Sequence, residues 1–220
     1  MEAGKPTGNA GRLAGGLLVG ALVIMATGAM IGFVAPSLRD APWEGDLSAI
    51  AGNPTAHFWA NGLILAAGVL TTLGLVVLSL RFQEPGRTWA WMGMVAFAFA
   101  AVFLALDRIL AMEVETWAAS QDSETAVVVF EAFERFEEGL SRWFYLLGFG
   151  SLSFYGIALT RTETARESGL VFVVVGGLGI LLAIAGAAIP GLVFLGTAAL
   201  GAATWRLGQV TVSKPQTTQE

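Results

Sequence analysis

Apart from Arg206 at the very end of the last one, Asp107 and Arg108 are the only full charges inside the long apolar runs of this sequence. An ionisable side chain within a membrane-spanning helix is costly, because hydrocarbon does not solvate it, and it marks a functional site by default. Adjacent residues on a helix point about 100° apart, so the two are expected to find partners on other elements rather than in each other. His57 and Asn61 stand one turn apart where another apolar run begins, and Arg142 and Tyr145 stand at the entry to a third. Together the six residues form a candidate polar mouth. Guanidinium, imidazole, amide and phenol groups suit recognition of a polar solute; the same side chains also serve as structural ion pairs and interfacial anchors. No nucleophile–base pair, HExxH or phosphate-cradling loop occurs, so no catalytic residue is assigned.

A carboxylate-rich segment, 123–142, separates Asp107 from Tyr145. Its Val129, Phe133, Phe136 and Leu140 fall at helical spacing, with Ala126 one turn earlier, while Glu131, Glu134, Arg135, Glu137 and Glu138 occupy much of the remainder. That pattern is an amphipathic helix. Glu131–Arg135 and Glu138–Arg142 are spaced for ion pairs along it. Glu131, Glu134 and Glu138 share one face and form a candidate acidic surface. No calcium-loop spacing accompanies them, so no metal is assigned.

Composition shows what must position these groups. The 220 residues are 55% hydrophobic and 13% charged, with a mean hydropathy of +0.68. A soluble domain carries about 25% charged residues, so this chain lacks the polar surface to cover itself in water. Apolar runs of roughly 20 residues match the hydrocarbon thickness of a bilayer. The expected fold is all-α: a polytopic membrane protein with six transmembrane helices at 13–34, 58–80, 89–112, 143–160, 170–189 and 192–207. The segment 123–142 is expected outside the bilayer, as a surface helix or as a projection of the fourth span. One domain, 12–208, lies between tails 1–11 and 209–220 that read as disordered. In the loop after the first span, Trp43, Leu47 and Ile50 suggest a segment lying on the bilayer surface. Pro190-Gly191 reads as the corner joining the last two spans. Gly16, Gly20, Gly28 and Gly32, on one four-residue spacing, are expected to let another helix approach closely, within the bundle or across a dimer.

With both termini inside, the inner segments hold Lys5, Arg12, Arg81, Arg87, Arg161, Arg166, Arg206 and Lys214, and the outer loops hold Arg39, Arg135 and Arg142. Basic residues favour the cytoplasmic side. This predicts a multi-pass plasma-membrane protein with cytoplasmic termini and an extracytoplasmic acidic segment.

Several chemistries are excluded. There is no Cys, so disulfides, thiolate metal sites and thiol nucleophiles are ruled out. A single His cannot ligate haem twice, and Lys5 and Lys214 lie in the tails, away from any buried Schiff base. The net charge of −5 argues against nucleic acid. No cofactor is expected. No ionisable residue sits at the centre of a span, and all seven prolines lie outside the spans; both weigh against proton relays and ion-coupled carriers.

The Gly11-Arg12-Leu13-Ala14-Gly15 entry is followed by a long outer loop and two spans joined by a short basic hinge. An outer helical segment and a closing three-span unit complete the layout. Over residues 11–208 this resembles a family of bacterial and archaeal six-span membrane proteins of unknown function, and the resemblance implies fold but no site residues. The reading that follows is a non-enzymatic protein of the lipid bilayer, acting through an acidic extracytoplasmic surface as a subunit or partner of a membrane complex or as a homo-oligomer. The alternative is a small-solute transporter or channel with the polar mouth as its vestibule.

Overall fold

A computed structural model describes residues 9–34, 43–121, 124–162, 165–187 and 190–210. Every element among them is helical: α1 (Asn9–Val34), α2 (Trp43–Gly52), α3 (Pro54–Ser79), α4 (Arg87–Leu110), a π-helical turn (Ala111–Glu115), α5 (Thr116–Ala119), α6 (Glu124–Thr160), α7 (Arg166–Ile184) and α8 (Pro190–Val210). Helix is the open structure available to apolar sequence in lipid, since it satisfies every backbone group within its own segment. Pro54 starts α3 at a position whose N–H needs no partner. The protein is an all-α polytopic membrane protein. Among the described residues five helices are long and apolar enough to cross a membrane, and the apolar part of α8, Gly191–Trp205, is shorter.

The helices pack in the order α8, α1, α3, α4, α6, α7, with lighter contacts of α8 on α6 and α7 closing the bundle. Successive long helices run antiparallel. Gly15 near the start of α1 lies against Trp205 near the end of α8, and Gly28 near the end of α1 lies against Ala60 near the start of α3. The interior is one contiguous apolar core that includes Leu18, Leu75, Phe97, Leu104, Phe144, Phe149, Leu152, Val193 and Phe194.

Of three features, the first decides between two expected arrangements and the other two differ from expectation. From Glu124 on, the acidic segment and the fourth span are one uninterrupted helix, α6, of 37 residues. At 1.5 Å per residue it is about 55 Å long, against about 30 Å of hydrocarbon, so it outruns the bilayer, and its first half packs with α2 and α5. Second, α7 stops at Ile184, and the corner is not Pro190-Gly191, which belong to α8. Gly186 makes the turn at φ 72°; Gly186 N–H donates to Ala183 O at 3.2 Å and Ala187 N–H to Leu182 O at 2.9 Å. This glycine-terminated motif satisfies the last carbonyls of α7. Third, the loop after α1 contains α2, whose Leu47 and Ile50 are buried against Ala118, Ala126 and Phe130. These residues form a small second core that ties α2 and α5 to the projecting part of α6; the Trp43 side chain lies outside the described residues. Of the disordered-tail expectations, 1–8 and 211–220 also lie outside them, while α1 begins at Asn9 and α8 runs to Val210.

The end of the bundle remote from α2 has its own anchor. Tyr155 on α6 is fully buried; its hydroxyl donates to Leu75 O at 3.0 Å and lies 2.6 Å from Ser79 Oγ, which lies 3.2 Å from Ala90 O. Three helices share this network. Tyr155→Phe is expected to lower stability in detergent by about 1–2 kcal/mol, the cost of a lost buried hydrogen bond and an unsatisfied partner. Thermal unfolding followed by tryptophan fluorescence measures it.

Candidate functional site

The charged site is built where α3 begins, α4 ends and α6 enters the bundle. Asp107 is 2% exposed. Contrary to the expectation from helical geometry, Arg108 folds back onto its neighbour: Nε donates to Asp107 Oδ2 at 3.0 Å and Nη2 to the same oxygen at 2.6 Å. Their Cα–Cβ bonds do diverge, but the long arginine stem returns its planar fork across the gap. Ser141 Oγ of α6 donates to that oxygen as well, at 3.2 Å. Arg108 Nη1 donates to Asn61 Oδ1 at 2.8 Å, and Asn61 Nδ2 donates to the His57 carbonyl at 3.1 Å.

The π-helical turn completes the arrangement. Such turns are rare and frequent at functional sites. His57 Nε2 lies 3.2 Å from the Ala111 carbonyl and 3.1 Å from Glu115 Oε2. Two acceptors at 3.1 and 3.2 Å face Nε2, so a proton there serves both, and this outweighs acceptance from Asn61 Nδ2 at 3.3 Å. Glu137 of α6 lies beside Glu115.

Of the six residues expected at the mouth, His57, Asn61, Asp107 and Arg108 therefore form one bonded network. Arg142 does not join it: Nη2 donates to Glu138 Oε1 at 3.2 Å, a half-exposed pair of the expected spacing. Tyr145 and Arg142 instead line a second cavity, about 580 Å³, with Arg108, Glu137 and Ser141. The expected Glu131–Arg135 pair is not formed among the described residues. Glu131 and Glu138 are exposed and Glu134 half-buried; among the described residues no three His, Asp or Glu are arranged to hold a metal ion. Sequence reasoning missed Glu115 and Glu137 as site residues. The signal was spacing: Glu137, Ser141 and Tyr145 recur at i, i+4 and i+8, and Arg108 and Glu115 at i, i+7.

A first cavity, about 270 Å³, lies beneath α2 with His57, Asn61, Arg108 and Glu115 on its wall. The glycine expectations divide. Gly28 meets the Ala60 carbonyl and Leu63 of α3, whereas Gly16 and Gly20 face open space; the Gly32 surroundings lie outside the described residues. Gly15, not Gly16, makes the approach to α8.

No family model, curated protein or solved structure matches the chain. The resemblance in layout therefore rests on the pattern of spans alone.

Proposed function

We propose that this protein is a non-enzymatic plasma-membrane protein that works from the charged end of its bundle. That end is extracytoplasmic in this reading, and the protein serves as a subunit or partner of a membrane complex. One observation carries the reading: the buried Asp107–Arg108 network, the small core around α2 and the projecting half of α6 all stand at the same end. There Glu131 and Glu138 face outward. Such an end presents a rigid, acidic surface beyond the bilayer. The excess of Lys and Arg in segments at the opposite end supports cytoplasmic termini.

A transporter needs a water path through the bundle. Phe97, Leu104, Phe144, Phe149 and Leu152, each at most 4% exposed, pack against one another in the interior, and this favours the partner reading over transport.

Purification of the full chain from native membranes in mild detergent is expected to bring down a second chain in fixed stoichiometry, or a second copy of this one. Glu131→Lys with Glu138→Lys should release it without changing the melting temperature, because both side chains are exposed. A monomer alone from native membranes, or an assembly indifferent to the double charge reversal, would sink the proposal. A tag beyond Lys214 that is reached from outside intact cells would overturn the orientation.

A further inference from the structure

At the end of the bundle remote from α2, an open groove of about 600 Å³ runs along the first turns of α4. Ligand clefts usually hold about 300–1,000 Å³, so the groove is large enough for one. Trp91, Met92, Val95 and Ala96 of α4 and Phe154 of α6 make its apolar length, and Glu84, Arg87 and Thr88 lie at one end of it. Trp89 stacks on Phe154 with ring centroids 6.1 Å apart, which fixes the α6 wall.

Position along the chain sets the depth of each part. The apolar side chains belong to the turns of α4 that enter hydrocarbon, and tryptophan settles at the membrane–water interface. Glu84 and Arg87 stand in the hinge and at the first residue of α4, at headgroup level. Both are exposed. Among the described residues neither side chain takes part in an ion pair or a hydrogen bond, with the other or with any neighbour. One cationic and one anionic group are therefore left open at the same end of the groove. A lone anion would suit Arg87 and be opposed by Glu84, and a lone cation would meet the reverse. A headgroup that carries both signs matches both.

We infer that this groove holds a zwitterionic phospholipid with an ammonium headgroup. The phosphate lies against Arg87, with the Thr88 hydroxyl as a further donor, and the ammonium lies against Glu84. One acyl chain follows Trp91, Val95 and Phe154 into the bilayer. A guanidinium suits a phosphodiester because its planar fork presents two parallel N–H donors. A soluble zwitterion would match the charges and leave the apolar length unused. An apolar partner helix would fill the length and leave both charges unmatched. The groove stands at the opposite end of the bundle from Glu131 and Glu138, so it rests on the membrane fold and not on the partner reading.

The test uses the full chain, stripped of lipid in mild detergent and titrated with dioleoyl phosphatidylethanolamine or dioleoyl phosphatidylglycerol under native mass spectrometry. The two lipids share their acyl chains, and the second lacks the ammonium. The expected result is one equivalent of phosphatidylethanolamine bound about fivefold tighter than phosphatidylglycerol, the contribution of one charge contact at a lipid surface. Glu84→Gln should erase that preference, and Arg87→Gln should weaken both lipids about fivefold. Arg166→Gln, at an exposed position of the same end but outside the groove, should change neither. Glu84 and Arg87 are exposed too, so their variants keep the fold, and an unchanged melting temperature checks it. Phosphatidylglycerol bound as tightly as phosphatidylethanolamine, a preference that survives Glu84→Gln, or an Arg166→Gln effect equal to that of Arg87→Gln would each overturn the inference. So would the absence of a bound equivalent, or a lipid-free dimer that Val95→Trp dissolves, which would assign the groove to a second copy of the chain.

Discussion

Asp107→Leu and Arg108→Leu are each expected to cost about 3–5 kcal/mol of stability, the range found when one partner of a buried ion pair is removed. Asp107 is 2% exposed and takes three hydrogen bonds at Oδ2, two from Arg108 and one from Ser141. Without Arg108 its charge has only a hydroxyl donor. Without Asp107, the guanidinium keeps Asn61 and only the more distant carboxyl groups of Glu137 and Glu115. The double variant is the discriminating measurement. Two leucines of suitable size remove both charges together, and replacing a buried pair with apolar groups is often close to neutral. The double variant should therefore recover most of the stability that either single variant loses, giving a coupling energy well above the few tenths expected for independent sites. Denaturant unfolding in detergent micelles, with all four proteins compared under one condition, measures it. Additive losses would show that Asp107 and Arg108 are held by separate partners and that their short contact contributes little.

Part of this site was legible in the sequence because charge inside an apolar run is conspicuous. Asp107 and Arg108 stand out against their neighbours, and His57 with Asn61 at a run boundary points to the same depth. What the pattern concealed was which groups touch. Helical geometry argued that adjacent residues diverge, which holds for Cα–Cβ vectors and fails for a side chain as long as arginine. Glu115 and Glu137 were hidden for a different reason. They sit in charge-rich sequence that resembles any solvated surface, and only packing of α6 against the π-helical turn brings them together. The continuity of α6 was one of two arrangements left open, because hydropathy changes at Trp143 while helicity does not. Amphipathic and apolar segments read as two elements when their periodicity is the same and only the environment differs. Leu47 and Ile50 were recognisable as apolar anchors, but their partners are Ala118, Ala126 and Phe130 of the protein, in place of the expected bilayer surface.

The glycines show a further limit, and they carry the second large prediction. With 28 glycines in the chain, four-residue spacings arise readily, and the row on α1 meets another helix at Gly28 but not at Gly16 or Gly20. The closest backbone approach lies between α6 and α7. A Cβ added to Gly156 would stand 2.6 Å from the Val173 amide nitrogen and 2.8 Å from the Gly169 carbonyl. One added to Gly169 would stand 2.6 Å from the Thr160 nitrogen, and one added to Gly176 would stand 2.6 Å from the Phe149 carbonyl. These neighbours are main-chain atoms of rigid helices and cannot rotate away. Close contact of this kind is a main source of helix association in lipid, where burial of apolar surface against apolar solvent gains little. Gly156→Leu is therefore expected to cost more than the ~1–3 kcal/mol of ordinary overpacking, by separating α6 from α7. Gly177→Leu is the control: nothing stands within 4 Å of its added Cβ, and leucine is the better helix former by up to about 1 kcal/mol. The two variants should thus move unfolding in opposite directions although they make the same chemical change in neighbouring helices. Equal, small effects from both would show that α6 and α7 tolerate a wider separation than the backbone contacts at Gly156 and Gly169 imply.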